Sequence, residues 1–418
     1  MKTVMPKALP RGITPKDIVL GKTLNFNCCV HKIKWRSSFV FVTLKTGRYT
    51  FLAVHNPKYC EKPLNGVHEG AYINVTCTVR EEKRAENGLE IAITDYEVLS
   101  MPAEKYPLPV SDKALDCSPE EMIEQRAVSM RHPIQRATAR IFGTVLDAFS
   151  LYMQQNEFLR VRTPKITPYC AEEDKDSFIF NFFGNKAYLC SDPYVYLTQS
   201  LTFFERVYDT SEIFFGKKRN SPRLLAEYTS LRFELAYGNK NNSMETIAGA
   251  LKFIVDYVSE HNSYELSLLE AKLPQCFEIP VITFEEVLES LGKNPGQSDL
   301  DPTDEVRICK AIKEKTGCEF VFVTNLPPKK RPAYYNEENF VLLFRGMEIA
   351  SGGEKIYDFE TYKKKVPTAD TEAEFLKYGL PPHCSGAIGA ERFVMKLLDL
   401  NNIREVALFP RDIRNINP

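Results

Sequence analysis

The last forty residues constrain this chain more than any other segment. Residues 381–395 read PPHCSGAIGAERFVM, and residues 402–412 read NIREVALFPRD. Glycines at 386 and 389 predict that backbone approaches a ligand closely. Arg392 follows them where a helix is expected to begin. A planar, permanently charged guanidinium at that place suits a phosphate or a nucleotide ring.

Bulk composition sets the limits within which that segment must work. The chain has 418 residues, of which 44% are hydrophobic and 26% charged, which is enough for two or three globular domains. A net charge of −1 gives no overall basic excess, so nucleic-acid binding would need a local patch. Eleven cysteines without Cys-x-x-Cys spacing and six scattered histidines predict reduced thiols and no metal-ligand cluster. Neither a signal peptide nor an apolar run of about 20 residues is visible, so we expect a cytoplasmic protein without a membrane segment.

Residues 1–100 are predicted to form a small β-barrel. Five short stretches alternate in a way that is typical of strands, at residues 24–30, 39–44, 49–54, 72–79 and 91–94. Asn87-Gly88 predicts a hairpin turn between the last two. Five strands without a long helix favour an OB-fold.

Residues 101–133 are predicted to be a linker or hinge. Pro102, Pro107 and Pro109 punctuate its start. Ser118 and Glu121 form a capping box, with proline at the first helical position, so a short helix is expected there.

Residues 134–418 predict an α+β domain with a mostly antiparallel sheet flanked by helices. The helix signals cover residues 133–155, residues 245–269 and a segment capped by Thr283 that stops at Gly292. Residues 320–324 and 341–344 are β-rich. No Gly-rich phosphate loop or dinucleotide fingerprint is present.

Several motifs occur in order along the chain, and together they resemble a known family. Residues 158–164 (FLRVRTP), 186–193 (KAYLCSDP), 213–217 (IFFGK) and 344–353 (FRGMEIASGG) precede the C-terminal string. They resemble the class II (subclass b) aminoacyl-tRNA synthetases, in the aspartyl/asparaginyl branch, and the ending most resembles the eukaryotic/archaeal-type aspartyl enzymes. The resemblance implies that the N-terminal barrel binds an anticodon and that residues 158–164 contribute to a homodimer interface.

The resemblance also implies the roles of individual residues. It assigns Arg392 to the far phosphates of ATP and Glu348 to Mg²⁺, so both are predicted to be catalytic. Further contacts to ATP are predicted for Arg223, Gly389 and Lys217. The predicted substrate-binding residues lie in the pocket motifs and are Ser351, Gly352, Lys355, Arg232, Tyr194 and Ser191. Phe41 keeps the stacking aromatic of the barrel and is the predicted contact to tRNA.

Five positions depart from the family pattern in ways that bear on chemistry. Phe215 aligns with the arginine that contacts the α-phosphate, and Lys217 with an acid of the same motif. Val341 aligns with a second metal carboxylate. Arg232 aligns with an aspartate that meets the substrate ammonium, and Lys355 with an arginine that clamps aspartate. Losing one transition-state donor costs about 10²–10³ in rate, and several such losses together would cost far more. We therefore expect that the pocket has been rebuilt.

Other residues lie in or near these motifs, and one more lies in the barrel. His383, Cys190 and Cys384 are interpreted as structural, since a lone cysteine without an evident base is usually packed. A pocket role is favoured for Arg331 or Tyr334. In the barrel, Leu52 aligns with an anticodon-reading glutamine.

These observations leave three functions open. The first is an aspartyl-tRNA-synthetase-like ligase that uses ATP and Mg²⁺ to activate an amino-acid carboxylate and transfers it to tRNA or another acceptor. The alternative is a catalytically inactive paralogue that acts as an RNA- or protein-binding or regulatory factor. A free-standing amide ligase is a weaker third possibility, because such relatives usually lack the barrel.

Overall fold

The structure is a computed structural model that describes residues 12–171, 176–294, 296, 299–328, 332–366 and 374–416. The chain divides into two compact units, of which the first ends at Cys117 and the second begins at Ser118. In the described part of the chain, no helix is long and apolar enough to cross a membrane.

The first unit is a closed five-stranded barrel, as the sequence predicts. Its strands are β1 (Thr23–Trp35), β2 (Val40–Thr46), β3 (Tyr49–His55), β4 (Tyr72–Glu81) and β5 (Leu89–Ser100). They close in the order β1-β2-β3-β5-β4, and only the β3–β5 pair is parallel. Period-2 alternation places Val42, Leu44, Ile73 and Val75 inside, where all four are fully buried.

The connection between β4 and β5 contains the predicted turn residues. Asn87 and Gly88 both have positive φ, at 57° and 72°, which is the conformation that an Asn-Gly pair adopts at low cost. They lie in a short 3₁₀ helix, Glu86–Gly88, at the end of a seven-residue loop, so the connection is longer than a two-residue hairpin.

Ten α-helices belong to the described part of the second unit. They are α1 (Pro119–Glu124), α2 (Arg126–Ser129), α3 (Pro133–Gln155), α4 (Tyr194–Ser200), α5 (Lys240–His261), α6 (Ser263–Leu268), α7 (Phe284–Leu291), α8 (Pro302–Thr316), α9 (Phe359–Lys365) and α10 (Ala390–Leu397). The predicted capping boxes at Ser118 and Thr283 are both formed, and Gly292 ends α7 in the left-handed conformation.

The prediction of one helix over residues 245–269 was wrong at its start and in its continuity. Helix α5 begins five residues earlier because Asn239 caps it, with its side chain accepting the N–H of Asn242. The helix ends before Asn262, whose φ and ψ of −123° and 26° leave the helical region, and α6 then starts as a separate helix.

The second unit is built on an eight-stranded sheet. Its strands are β6 (Leu159–Arg160), β10 (Arg206–Phe214), β11 (Glu227–Ala236), β12 (Val281–Thr283), β13 (Phe320–Thr324), β14 (Tyr335–Phe344), β15 (Met347–Lys355) and β16 (His383–Gly389). The order is β12-β13-β14-β15-β16-β11-β10-β6. Only the two outer pairs are parallel, so the prediction of a mostly antiparallel sheet is confirmed. A separate three-stranded sheet contains β7 (Ile166–Thr167), β8 (Ile179–Phe182) and β9 (Asn185–Leu189).

Helices α3 and α5 cover one face of the large sheet. Ile141, Val145 and Phe149, the predicted apolar face of α3, are fully buried in this core. They pack in one cluster with side chains of α5 and with Leu231 and Phe233 of β11. Because strands alternate, every second residue of β11, β15 and β16 is directed to the opposite face, where the site lies.

Candidate functional site

Three neighbouring strands supply the floor of a cavity of about 210 Å³. Strand β11 contributes Tyr228, Ser230 and Arg232, which alternate with the buried Leu231 and Phe233. The other lining residues come from β15, β16, α10 and the segments around residues 215–225 and 403: Phe215, Arg223, Leu224, Leu225, Glu348, Ile349, Ala350, Ser351, Ala387, Gly389, Glu391, Arg392 and Ile403.

The cavity therefore brings together six of the predicted site residues. They are Arg392, Glu348, Arg223, Gly389, Ser351 and Arg232. Segments that are separated by more than a hundred residues thus supply groups to a single hollow. Their proximity follows from the pairing of β15 with β16 and of β16 with β11, and their roles stay predictions.

Arg392 is held in place by backbone carbonyl groups. Its Nε donates to the carbonyl of Arg223 at 3.4 Å, and its Nη1 donates to the carbonyl of Glu348 at 3.2 Å. No carboxylate among the described residues lies within ion-pair distance of it, and its Nη2 makes no hydrogen bond to them. The guanidinium is therefore oriented and still has donors for an anion.

The other arginines of the cavity are already paired. Arg223 forms an ion pair with Glu305 of α8. Burial raises the pKa of Glu305, and the Arg223 guanidinium counteracts that rise. Arg232 forms an ion pair with Asp192, and its Nε donates to Ser230 Oγ at 2.9 Å. Positive charge in the cavity is thus concentrated on Arg392.

The two glycines of the C-terminal segment differ in what surrounds them. A Cβ on Gly386 would lie 2.5 Å from the ring of Phe233, so this glycine is required by packing on the helix-covered face. The expectation that Gly386 lets backbone approach a ligand stays a prediction. The nearest atoms to a Cβ on Gly389 would belong to Ile349 and Arg392 at 3.7–3.9 Å, which is ordinary contact, and the Cβ would take space beside the cavity.

Glu391 is a buried acid in the same lining. Burial raises its pKa to about 7, although both of its carboxyl oxygens accept the N–H of Thr229 at 2.9 Å. The folded state therefore holds a proton on this side chain that the unfolded state releases at lower pH.

This shift predicts a pH dependence of stability. The pKa of Glu391 in the folded state lies above the ordinary value of 4.5. Its contribution to the free energy of unfolding is therefore complete below about pH 4.5 and is lost as pH rises through about 7. We expect the loss to reach about 3 kcal/mol in the free energy of unfolding. Urea unfolding of Glu391→Gln at pH 4.5 and pH 8 should lack this loss, whereas Glu285→Gln, at an exposed position on α7, should follow the unmodified protein. Parallel pH profiles for Glu391→Gln and the unmodified protein would contradict the assignment.

An ion pair and a tyrosine lie at the end of the cavity beyond Ser230. Arg232 Nη1 donates to Asp192 Oδ1, which also accepts the N–H of Tyr194 at 3.0 Å. The hydroxyl of Tyr334 donates to Asp192 Oδ2 at 2.6 Å. Both carboxylate oxygens of Asp192 are consequently occupied by groups of the protein.

A second internal ion pair lies further along the same face of the sheet. Lys355 pairs with Glu234, and these two residues are only 4% and 1% exposed. Thr198 Oγ1 donates to Glu234 at 2.9 Å. The Lys355 ammonium also lies 4.9 Å from the ring centroid of Tyr334, which stacks on Tyr194 at 4.0 Å. The hollow lined by Lys355, Thr198 and the two tyrosine rings measures about 10 Å³, which is close to the smallest volume that holds one water molecule.

The remaining predicted site residues lie outside the larger cavity. Lys355 and Tyr194 belong to the small hollow. A Cβ on Gly352 would lie 2.4 Å from the Ser385 carbonyl and 2.6 Å from Phe340, so this glycine faces the buried side of the sheet. Ser191 Oγ lies 3.1 Å from Cys170 Sγ, and Lys217 is exposed.

The histidine and the cysteines that are interpreted from the sequence as structural are buried. His383 is buried, and its Nδ1 lies 3.0 Å from the carbonyl of Pro381. Burial, with help from Lys355, lowers the pKa of His383 to about 3, so its imidazole is neutral. Burial raises the pKa of Cys190 and of Cys384 to about 12, which disfavours a nucleophilic thiolate. Arg331 lies outside the described residues.

Phe41 lies on β2 of the barrel and is half-buried. Its ring meets Phe39 edge to face, with centroids 5.0 Å apart. Leu52, on the neighbouring strand, is exposed. The predicted contact of Phe41 with tRNA stays a prediction.

Sequence reasoning missed three acids that shape the site. Asp192, Glu234 and Glu305 pair with Arg232, Lys355 and Arg223 respectively. For Glu234 a signal was available, because it follows Arg232 by two residues and must share its face of the strand. Glu305 has no signal in the sequence, since α8 reaches the cavity only through the tertiary fold.

Comparison with known proteins shows the family to which this chain belongs. The family model described as tRNA synthetases class II (D, K and N) matches residues 118–413, which is almost all of the second unit. The chain therefore belongs to the class II tRNA synthetase family, in the aspartyl/asparaginyl branch that the motifs predict.

Individual relatives agree with this placement. The aspartate–tRNA(Asp/Asn) ligase of Deinococcus radiodurans is 32% identical over 372 residues, which cover 83% of this chain and 86% of the relative. That of Thermus thermophilus is 33% identical over 365 residues, with the same coverage of 83% and 86%. The asparaginyl-tRNA synthetase of Pyrococcus horikoshii, solved with asparaginyl-adenylate, has a TM-score of 0.89 over 98% of this chain and 100% of its own, at 20% identity. At that identity the likeness shows the fold.

Proposed function

We propose that this chain is an ATP-dependent ligase that activates a carboxylate substrate as an acyl-adenylate and transfers it to tRNA or another acceptor. One observation carries the proposal: Arg392, without an ion-pair partner among the described residues, and Glu348 line one cavity on the antiparallel sheet. Family membership supports the same chemistry.

The reaction can be written for the groups that line the cavity. An oxygen of the substrate carboxylate attacks the α-phosphorus of ATP and forms a new P–O bond. The bond from that phosphorus to the bridging oxygen breaks, and pyrophosphate leaves with the electron pair. Arg392 neutralises charge on the departing phosphates. Ser230 and Ser351 offer hydroxyl groups to the bound acid.

Mg²⁺ fits this site with one protein carboxylate. Among the described residues no group of three or more His, Cys, Asp or Glu side chains is arranged to hold a metal ion. Mg²⁺ commonly uses one or two carboxylates together with phosphates and water, so Glu348 is sufficient. When bound with ATP, the ion would add positive charge beside the phosphates.

A second candidate function rests on the prediction that Phe215 replaces the arginine that contacts the α-phosphate. Phe215 lines the cavity, and the neighbouring Arg223 is held by Glu305. Val341 is 2% exposed and cannot serve as the second metal carboxylate. These features favour a paralogue that binds nucleotide or RNA without activating an acid.

An exchange assay decides between the two functions. Acid-dependent exchange of labelled pyrophosphate into ATP is expected for the ligase and should be abolished by Arg392→Ala. The panel should include amino acids and other short carboxylic acids. Nucleotide binding without exchange for any acid would instead support the inactive paralogue.

We also propose that the protein is a homodimer and that its barrel binds RNA. The segment predicted to form the interface lies beside a polar groove of about 650 Å³ between α3, β6 and β10. Light scattering should return twice the mass of the chain, and a monomer would contradict the dimer.

A gel shift with total tRNA should be weakened by Phe41→Ala, and no shift would contradict RNA binding.

A further inference from the structure

Two cysteines of the second unit lie beside each other near the β12 edge of the large sheet. Cys276 belongs to the segment that joins α6 to β12, and Cys318 comes just before β13. The Cys318 thiol lies 3.5 Å from the carbonyl oxygen of Cys276, although 42 positions separate the two residues along the chain. Burial, together with the adjoining Cys276 side chain, raises the pKa of Cys318 to about 11.

Strand pairing explains why these two cysteines meet. Strands β12 and β13 are parallel, with Val281 opposite Phe322. The Phe322 N–H donates to the Pro280 carbonyl at 2.9 Å, and the ring of Phe277 lies 5.6 Å from that of Phe320. The two segments therefore run side by side up to the cysteines. Paired strands lie about 4.8 Å apart, and a disulfide joins Cα atoms about 4.4–6.8 Å apart, so this separation suits a bond.

The segment that carries Cys276 is also fixed on its other side. Arg345 Nη2 donates to the Lys272 carbonyl at 2.7 Å and to Glu319 Oε2 at 2.8 Å. Because Glu319 directly follows Cys318, one guanidinium holds both segments together. The fold thus orders the two cysteines before any reaction, and a bond between them costs little further conformational entropy.

The two thiols differ in their access to solvent. Cys318 is fully buried, whereas Cys276 is half-buried, so a dissolved reagent reaches Cys276 first. Cys276 Sγ makes a long contact of 3.8 Å to the Glu278 carbonyl, which a rotation of the side chain breaks at small cost. In reducing compartments, the disulfides that do occur are usually transient and respond to an oxidant.

We propose that Cys276 and Cys318 form a modification site, at which a small disulfide such as glutathione disulfide introduces an internal disulfide bond. The Cys276 thiolate attacks one glutathione sulfur, forms a mixed disulfide and displaces a first glutathione thiolate. The Cys318 sulfur then attacks Cys276 Sγ, its proton passes to the second departing glutathione, and the internal bond is complete. The chain is oxidised by two electrons, and glutathione disulfide is reduced to two thiols. This inference does not depend on the proposed ligase function.

Peptide mapping tests the site directly. The folded full chain is incubated with glutathione disulfide, its remaining thiols are alkylated, and it is digested without a reductant. Mass spectrometry should find one peptide pair that joins Cys276 to Cys318 and separates on reduction. Glutathione that stays on Cys276 without the linked pair, or no reaction of Cys276, would overturn the inference.

A variant that lacks the buried thiol should stop the reaction halfway. Cys318→Ala should keep glutathione on Cys276, because no neighbouring thiol remains to displace it. Cys117→Ala, at another half-buried cysteine, is the matched control and should form the internal bond as the unmodified protein does. A Cys276 free of glutathione in Cys318→Ala would contradict the proposed order of steps.

A bond that fits the folded chain should also stabilise it. Closing a loop across 42 positions restricts the unfolded chain, so the Tm of the helical signal should rise by at least about 3 °C on oxidation. Cys318→Ala under the same treatment should show no rise. An unchanged or lower Tm in the linked protein would show that the folded chain does not hold the two sulfur atoms at bonding geometry.

Discussion

Replacing Lys355 with methionine is expected to lower the free energy of unfolding by about 3–5 kcal/mol. The substitution leaves the Glu234 carboxylate buried without its cationic partner. Among the described residues, the Thr198 hydroxyl then remains as its hydrogen-bond donor, and His383 Nε2 lies 3.9 Å away. Burial already raises the pKa of Glu234, and Lys355 counteracts that rise. Circular dichroism during urea unfolding reports the helices, which belong to the second unit.

The chain offers an internal control for this measurement. Trp35 is its single tryptophan and lies on strand β1 of the barrel, so tryptophan fluorescence follows the first unit. The fluorescence midpoint should stay in place while the helical signal shifts. The double variant Lys355→Met/Glu234→Gln removes both charges and should recover most of the lost stability. A single variant within about 0.5 kcal/mol of the unmodified protein would show that the pair is not buried as described.

Introducing arginine at position 215 is expected to raise the rate of acid-dependent pyrophosphate exchange by about 10²–10³. Phe215 lines the cavity, and the motif resemblance predicts that it takes the place of a donor for the α-phosphate. The new guanidinium would stabilise charge that develops on that phosphate as pyrophosphate leaves. Initial rates should be measured with the acid that gives the fastest exchange in the unmodified protein.

The same position supplies the uncharged control. Phe215→Met changes shape and flexibility without adding a donor, so it should give no acceleration. An equal increase in both variants would assign the effect to space in the cavity. A Phe215→Arg variant that is folded, binds ATP and shows no faster exchange would contradict the view that Phe215 limits the present chemistry.

Much of the fold could be predicted because its signals are local. The barrel strands alternate with period 2, and the apolar face of α3 repeats at helical spacing, so Ile141, Val145 and Phe149 are buried as expected. Capping residues fixed the starts of α1 and α7. The start of α5 could also have been found, because Asn239 and Asn242 form a capping box that the apolar pattern alone does not reveal.

The pairing of charges in the site could not be predicted in the same way. Asp192 and Arg232 are 40 residues apart, and Glu234 and Lys355 are 121 apart. The motif resemblance predicts that Arg232 and Lys355 depart from the family pattern, but only the tertiary fold shows that each has a carboxylate partner. Arg232 and Lys355 therefore belong to ion pairs with Asp192 and Glu234, and neither residue gives the pocket an excess of positive charge.

Calorimetric titration of ATP with Mg²⁺ into the full chain tests most directly whether Arg392 and Glu348 share a nucleotide site. We predict one saturable site whose affinity falls at least about tenfold in Arg392→Ala, since that variant removes charge-assisted hydrogen bonds to phosphate. Arg307→Ala, at an exposed position on α8, should bind ATP as the unmodified protein does. Absence of saturable heat, or equal affinity in Arg392→Ala, would contradict a nucleotide site in this cavity.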